Sequence, residues 1–314
     1  DAMESRGLGD VYKRQIDDSS QIRAFTGAYD DPSYDEVPFA LAAAESACSI
    51  LHKTARIHPH EFWEIASSTQ YAQEQPFGGL PTMVYWQLES VINASGIKVV
   101  LEGQGGDELF GGYRYYLGEH LADLSRETGS SEEVNMYRQY YGVELVKQLL
   151  ENALLRKKTH QDGSMHLALD CVEPDFRACY HATLFPTPSD SYLTNARLRD
   201  LCYTKVPRVL RFNDRMSMAF GLELRVPFLD WRLVELSFVM PPSCFFKNGH
   251  SKAVLRAAMW DLLPDSVRLA PKRSVVTPQS KWFSGALREG IVNVIESSEL
   301  FGRGYLNRAR ARER

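Results

Sequence analysis

The chain has 314 residues, of which 44% are hydrophobic and 24% charged, so it has enough apolar residues for a sizeable core and lacks the composition of a disordered protein. Its formal net charge of −4 argues against a nucleic-acid-binding body, and no apolar run approaches the length of a membrane span. We therefore expect a protein that binds neither nucleic acid nor membrane. Because the five cysteines are scattered and form no CxxC pair, we also expect reduced thiols and a cytoplasmic location.

The two ends of the chain differ from the rest. Residues 1–15 show neither helical nor strand periodicity and are predicted to be a non-native or disordered leader. Residues 307–314 carry four arginines and one glutamate and are predicted to be a solvated basic tail. This leaves residues 16–306 as the predicted folded unit.

Strand-like and helix-like segments alternate in the first half of the chain. The β-prone run Arg23–Tyr29 is followed by an alanine-rich apolar segment, Pro38–His52, which predicts a buried helix. A second helix is predicted at Thr82–Ala94, and the β-branched run 97–101 after it is typical of a central parallel strand. This order predicts βαβ units and an α/β fold in which helices flank a parallel sheet.

The C-terminal part is predicted to be largely helical. Ser130 and Glu133 have the spacing of a capping box for a helix that runs to Lys157. Further helices are predicted near 191–220 and near 251–262.

A glycine-rich segment directly follows the predicted strand at 97–101. Gly103, Gly105 and Gly106 permit positive φ and let backbone N–H groups approach a ligand closely. Asp107 comes next, where a carboxylate could hold Mg²⁺ on a polyphosphate. The segment matches neither a P-loop nor a dinucleotide-binding fingerprint, and the same residues fit a tight turn whose acids only cap a helix. The loop alone leaves both interpretations open.

Two charged segments lie further along the chain. Between 211 and 230, charged residues alternate with apolar ones, and we interpret most of them as an internal salt-bridge network, because charges are rarely buried without partners. Ser251 is predicted to cap a helix with Lys252 in its first turn, where a lysine opposes the helix dipole unless an anion lies nearby. Lys252 is therefore either an exposed lysine or a cation beside a phosphate.

Taken together, these segments resemble a known family. The motifs are G-x-G-G-D-E-L-F-G-G-Y at 103–113, D-R-M-S-M-A at 214–219, E-x-R-V-P-F-L-D at 223–230, S-K-x-x-L-R at 251–256 and P-K-R at 271–273. In this order and spacing they resemble the synthetase, or ATP-pyrophosphatase, domain of class B, glutamine-hydrolysing asparagine synthetases. The resemblance covers residues 22–285, and several motifs in register are more specific than any one of them.

The resemblance implies an adenine nucleotide alpha-hydrolase-like fold of the ATP-pyrophosphatase type, and ATP- and Mg²⁺-dependent amide formation. A carboxylate substrate, aspartate in the first instance, would attack the α-phosphate of ATP and form a β-aspartyl-adenylate. Ammonia, released from glutamine by a separate N-terminal glutaminase domain, would then displace AMP and give asparagine. The resemblance also allows a homodimer.

The resemblance also assigns roles to residues, position by position. It implies that Lys252 and Gln104 are catalytic and that Asp107 is a magnesium ligand. The residues that it places at the nucleotide are Glu102, Gly103, Gly105, Gly106, Asp107 and Lys252. The residues that it places at the carboxylate substrate are Glu74, Gly78 and Gly79.

Three features depart from the family pattern. The phosphate-binding S-G-G-x-D-S loop and the glutaminase domain are not found in these 314 residues, so we expect them alone to show little or no synthetase activity. Position 104, usually glutamate, is Gln104, which cannot accept a proton at neutral pH, and position 102, usually serine, is Glu102. Two alternatives stay open: amidation of another carboxylate, such as a sugar acid in polysaccharide biosynthesis, and a catalytically dead remnant that serves as a binding module.

Overall fold

A computed structural model describes residues 22–46, 50–128, 132–154, 169–179, 184–272 and 277–313. The strands in this part of the chain are β1 (Ile22–Ala28), β2 (Ile50–Arg56), β3 (Val99–Leu101), β4 (Glu223–Arg225), β5 (Phe246–Lys247) and β6 (His250–Ser251). The helices are α1 (Val37–Ser46), α2 (Phe62–Gln73), α3 (Leu80–Ala94), α4 (Gly106–Phe110), α5 (Arg114–Thr128), α6 (Glu132–Tyr141), α7 (Val143–Leu154), α8 (Pro174–Arg177), α9 (Tyr192–Cys202), α10 (Lys205–Ala219), α11 (Trp231–Val239), α12 (Ala253–Ala258), α13 (Asp265–Arg268), α14 (Gln279–Ser284), α15 (Arg288–Glu296), α16 (Glu299–Gly302) and α17 (Arg308–Glu313).

The parallel strands confirm the α/β prediction. β1 and β2 pair in parallel over their full length, from Ile22 opposite Ile50 to Ala28 opposite Arg56, with α1 in the connection between them. β3 and β4 also pair in parallel, with Leu101 opposite Arg225. β5 and β6 form an antiparallel hairpin. Among the described residues the parallel pairing thus occurs in two separate pairs rather than in one continuous sheet.

The prediction of one helix at Pro38–His52 is wrong for the second part of this segment. The helix, α1, ends at Ser46, and Ile50 begins strand β2. The alanine-rich run favours a helix, but the segment from Ile50 onward pairs residue by residue with β1, and this tertiary pairing decides its conformation. Sequence periodicity alone did not separate the two elements, because the apolar character continues across the boundary.

The C-terminal part is largely helical, as predicted, but its helices are shorter. The helix predicted to run to Lys157 is divided into α6 and α7 at Gly142, whose φ of +90° ends the first helix. Ser130 of the predicted capping box and Lys157 itself lie outside the described residues. The segment 191–220 likewise contains two helices, α9 and α10.

The basic segment 307–314, predicted to be a solvated tail, includes helix α17. Arg312 of this helix donates to Glu296 with its Nε 2.7 Å from Oε1, and Arg308 lies over the ring of Phe301 at 4.5 Å. Its arginines therefore contact the neighbouring helices α15 and α16.

Two clusters of buried apolar side chains form the core. One joins the segments around β1, α2, α3 and α14, and its members are Tyr29, Ile57, Phe62, Ile65, Leu80, Met83, Trp282 and Leu287. The other joins α5, α6, α7 and α9 to Phe245 and Phe246. These two phenylalanines anchor the β5–β6 hairpin, which comes directly before Lys252. Within the described residues, no helix has the length and apolar character needed to cross a bilayer.

Candidate active site

The glycine loop connects β3 to α4. Its start is fixed by the parallel strand pair, because the backbone N–H of Glu102 donates to the carbonyl of Arg225 at 2.8 Å. Gly105 has a φ of +90°, and a Cβ added at this position would collide with the side chain of Leu229, so both the backbone conformation and the limited space favour glycine. The helix that carries Asp107 begins at Gly106. The loop therefore makes a tight turn from strand to helix, and this geometry is compatible with ligand binding by the same loop.

Asp107, on α4, lies between two lysines. The Nζ atom of Lys252 is 2.5 Å from Oδ1, and that of Lys272 is 2.8 Å from Oδ2. Burial raises the pKa of the Asp107 carboxyl, but the two ammonium groups outweigh this effect and hold the pKa below its usual value. A Cβ at Gly112 would collide with Asp107 and Lys252, so this glycine makes room for the contact.

The β5–β6 hairpin positions Lys252. Asn248 and Gly249, at the turn of the hairpin, have φ values of +51° and +78°, the pair of positive angles that a tight hairpin turn requires. Ser251 belongs to β6 and does not cap the next helix, so the predicted cap is wrong by one residue. Lys252 itself precedes α12, with a φ of +56°, a left-handed conformation that is uncommon for a residue with a side chain.

Two further lysines, Lys205 and Lys272, lie close to Asp107 and Tyr113. The Lys205 ammonium lies 2.9 Å from the ring centroid of Tyr113, and burial lowers the pKa of Lys205 to about 8 against the opposing attraction of Glu108 and Asp107. Lys272 is part of the P-K-R motif, the only signal in the sequence that pointed to it. We call Lys205, Lys252 and Lys272 the lysine cluster.

A buried arginine holds α4 in place beneath the lysine cluster. Arg197, on α9, donates to the carbonyls of Glu108 at 2.9 Å, Leu109 at 2.7 Å and Ser237 at 2.9 Å. Its guanidinium lies over the ring of Phe245 at 4.2 Å. These bonds satisfy carbonyls at the end of the short helix and fix the helix that carries Asp107.

A second polar group lies at the end of β3. The carboxylate of Glu102 accepts a hydrogen bond from Asn213 at 2.8 Å, and the Gln104 amide donates to the Tyr85 hydroxyl at 3.1 Å. Tyr85 also bonds Asn213, and burial together with the charge of Glu102 raises the pKa of Tyr85 to about 12. Burial raises the pKa of Glu102. Glu89 on α3 has a pKa raised to about 7 by burial and by the charge of Glu102.

Two of the three predicted substrate residues, Glu74 and Gly78, lie against α10. Glu74 forms an ion pair with Arg215, and a Cβ on Gly78 would lie 3.1 Å from the ring of Phe212. Gly79, with a φ of +81°, precedes α3 and faces Gln279. Because Asn213 reaches Glu102 from the same helix, α10 connects this segment to the end of β3.

The sequence-predicted residues therefore fall into two groups. Asp107 and Lys252 lie in the lysine cluster, whereas Glu102, Gln104, Glu74 and Gly78 are joined through α3 and α10.

Some of the charges between 211 and 230 form ion pairs, as the salt-bridge interpretation expected. Glu223 pairs with Arg225 at 2.7 Å inside the segment. Arg211 and Arg215 instead reach out of the segment, to Gln73 and Glu74 at the end of α2. The network is thus only partly internal, and it contributes to the candidate site.

The described residues could supply a magnesium ion with one carboxylate ligand but not with a full set of protein ligands. Among the residues that the structure describes, no group of three or more histidine, cysteine or acidic side chains is placed to hold a metal. Asp107 could supply one carboxylate oxygen if its lysines moved to a bound anion. The residues therefore fit Mg²⁺ as the companion of a polyphosphate, whose oxygens and water would supply the other ligands.

Comparisons with known proteins show what the chain as a whole is similar to. A family model described as asparagine synthase matches residues 10–314. The chain is 24% identical to asparagine synthetase [glutamine-hydrolyzing] 1 of Bacillus subtilis, over 88% of this chain and 46% of that protein. It is 26% identical to a putative asparagine synthetase of Mycobacterium tuberculosis, over 89% of this chain and 45% of that protein. It is 23% identical to the amidase chry2 of Gibberella zeae, over 92% of this chain and 48% of that protein. The chain thus spans about half the length of these relatives.

Proposed function

The chain belongs to the asparagine synthase family, and we propose that it is the synthetase part of an ATP-dependent amide ligase. The proposed enzyme activates a carboxylate as an acyl-adenylate and then transfers ammonia to it. Aspartate is the first substrate that we propose, with asparagine as the product. A glutaminase domain would supply the ammonia from glutamine.

The observation that carries this proposal is the position of Asp107 between Lys252 and Lys272, directly after the glycine loop. With Lys205 and Glu108, the cluster has three ammonium groups against two carboxylates. Such a cationic surface beside backbone N–H groups suits a polyphosphate. As pyrophosphate leaves, the lysines would stabilise the negative charge that develops on it. Stabilisation of such developing charge is usually the largest contribution that a protein makes to a reaction of this kind.

Magnesium, when bound with ATP, would neutralise phosphate charge and orient the leaving pyrophosphate. The chain's own residues do the remaining work. Gly105 and Gly106 let the loop pack closely against Phe228 and Leu229, and Arg197 holds α4 so that Asp107 keeps its position. The segment with Glu74 and Gly78 lies against α10, where it would contact the carboxylate substrate.

A second candidate is an amide ligase of the same type that acts on another carboxylate, such as a sugar acid. Gln104 favours this second candidate, because an amide occupies the position at which the asparagine-forming pattern has glutamate. The Nε2 atom of Gln104 donates a hydrogen bond to the Tyr85 hydroxyl. The amidase-named relative is a further reason to test substrates other than aspartate.

The test is a panel of carboxylates with ATP, magnesium and ammonia, applied to the full-length enzyme. Carboxylate-dependent exchange of pyrophosphate into ATP reports adenylation, and AMP release reports the complete reaction. Aspartate-dependent exchange supports the first proposal, and exchange with a uronic acid but not aspartate supports the second. No exchange with any carboxylate would overturn both proposals and favour a binding module.

A further inference from the structure

Lys205 differs from the other two members of the lysine cluster in its partners. Lys252 and Lys272 share the carboxylate of Asp107, whereas Lys205 forms no ion pair or hydrogen bond with any residue that the structure describes. Its ammonium group lies instead on the ring of Tyr113, 2.9 Å from the centroid. A half-buried ammonium group without a carboxylate partner is costly, so its presence at this site calls for an explanation.

The position of Lys205 in the chain adds to this cost. Lys205 is the first residue of α10, whose first turn contains no acid and whose N-cap residue, Thr204, makes no capping hydrogen bond with its side chain. The Thr204 hydroxyl donates instead to Asp200 at 2.9 Å. A lysine at a helix N-terminus opposes the helix dipole, and a bound anion would offset both positive charges. The start of α10 therefore favours an anionic ligand beside Lys205.

The acids whose charges attract Lys205 are bound to other groups. Glu108 accepts a hydrogen bond from the Tyr113 hydroxyl at 2.9 Å, and Asp107 is held by the other two lysines. The buried carboxylate of Asp200 accepts hydrogen bonds from Tyr115, Tyr116, Arg199 and Thr204. Burial lowers the pKa of Lys205 to about 8 in spite of these three acids, so the side chain is still charged at neutral pH. Its charge is therefore available to an anionic ligand.

The ring of Tyr113 connects Lys205 to the rest of the lysine cluster. Lys272 lies over the same ring, with its ammonium group 5.5 Å from the centroid. The ring stacks on Tyr115 at 5.5 Å, with the two planes 5° apart, and its hydroxyl is fixed by Glu108. Because the ring is held by both contacts, it offers Lys205 a fixed, uncharged surface that attracts a cation without neutralising it.

We propose that Lys205 binds the terminal phosphates of ATP and pyrophosphate before any ion pair of the lysine cluster is broken, and that Tyr113 is its positioning residue. The inference rests on the proposed function and deepens it. Lys252 and Lys272 must leave Asp107 to reach a phosphate, whereas Lys205 must leave only the face of an uncharged ring. Lys205 therefore contributes to the binding of the phosphates throughout the reaction, and the other two lysines contribute most as charge develops on the leaving group.

The first test measures the binding of pyrophosphate to the full-length enzyme by titration calorimetry, without magnesium or a carboxylate. We expect Lys205→Met, which keeps an apolar stem and loses the charge, to weaken binding by about tenfold or more. Lys205→Arg keeps a cation that can lie on the ring and should bind within about threefold of the unmodified enzyme. The control for net charge is Lys147→Met, an exposed lysine on α7, which should bind normally. Unchanged binding in Lys205→Met would overturn the inference.

A double-mutant cycle tests the role of Tyr113. Tyr113→Phe keeps the ring and should bind pyrophosphate within about threefold of the unmodified enzyme. Tyr113→Leu should weaken binding when Lys205 is present but cause no further loss in the Lys205→Met background, because the ring acts through the ammonium group. Equal losses in the two backgrounds would show a merely structural role and overturn the assignment of Tyr113. If Tyr113→Leu does not fold, the comparison of Lys205→Met with Lys205→Arg still decides whether the charge of Lys205 binds the anion.

Exchange kinetics distinguish the inference from the proposed function. In carboxylate-dependent ATP–pyrophosphate exchange, Lys205→Met should raise the KM for pyrophosphate by about tenfold and change kcat by less than about threefold, because binding that is equal in the ground and transition states is lost. A lower kcat with an unchanged KM would overturn the inference and leave the ligase assignment standing. Pyrophosphate binding that depends on Lys205, without exchange for any carboxylate, would support the phosphate site and overturn the ligase assignment.

Discussion

Lys272 places its ammonium group 2.8 Å from Oδ2 of Asp107, although 165 residues separate the two in the chain. Lys252 approaches the other carboxyl oxygen from a different direction, after the β5–β6 hairpin. One lysine would neutralise the carboxylate, so the second leaves positive charge beside the glycine loop. This excess charge is what a polyphosphate would meet.

Removing either lysine should therefore impair adenylation. We expect Lys252→Ala and Lys272→Ala each to lower carboxylate-dependent ATP–pyrophosphate exchange by about 10²-fold or more, because an electrostatic contact to the leaving group is lost. The matched control is Lys147→Ala, an exposed lysine on α7, which should exchange normally. Normal exchange in Lys272→Ala, with the fold retained, would remove Lys272 from the proposed site.

The left-handed backbone at Lys252 gives a second prediction, which separates activity from stability. Lys252→Gly and Lys252→Ala both remove the ammonium group, but only glycine adopts a φ of +56° without strain. We expect the glycine variant to be more stable than the alanine variant by about 1 kcal/mol, while both lose exchange equally. Urea unfolding of the two variants measures the difference. Equal stabilities would mean that the hairpin does not hold Lys252 in this conformation.

Part of this site could be predicted from the sequence. The glycine loop and Asp107 are contiguous in the chain, so a local motif identifies them. Strand β2 was missed, because its conformation comes from pairing with β1 and not from its own periodicity. The turn at Asn248–Gly249 is a local hairpin signal that would have corrected the helix start at Lys252.

The remaining contacts depend on tertiary structure. Lys272 reaches Asp107 on α4, and Lys205 reaches the ring of Tyr113 soon after that helix, so these contacts join distant segments that no spacing in the sequence connects. For the same reason, the partners of Arg211 and Arg215 on α2 could not be identified from the charged segment itself.

The third prediction concerns the glycine loop. Gly105 and Gly142 both have a φ of +90°, but a Cβ at Gly105 would collide with Leu229, whereas one at Gly142 would meet nothing within 4 Å among the described residues. Gly142→Ala should cost about 1–2 kcal/mol through backbone strain alone. Gly105→Ala should cost about 1–3 kcal/mol more, because overpacking adds to the strain. Denaturant midpoints of the two variants test this, and equal losses would contradict the packing of Gly105 on Leu229.

The last prediction concerns the stability of the protein as a function of pH. In the unfolded chain Glu89 has its ordinary pKa of 4.5, and in the folded protein its pKa is about 7. Between these values the folded state holds a proton that the unfolded state has released, so the free energy of unfolding falls as pH rises from about 4.5 to about 7. The pKa difference corresponds to a decrease on the order of 3 kcal/mol.

Glu89→Gln cannot titrate and should lack this contribution. We expect its urea midpoint to change less between pH 5 and pH 8 than that of the unmodified protein, and to be the higher of the two at pH 8. The Glu151→Gln control should follow the unmodified protein, because its side chain is exposed. The same slope in all three proteins would show that Glu89 releases its proton at an ordinary pH, and that the interior of α3 does not hold an acid in its neutral form.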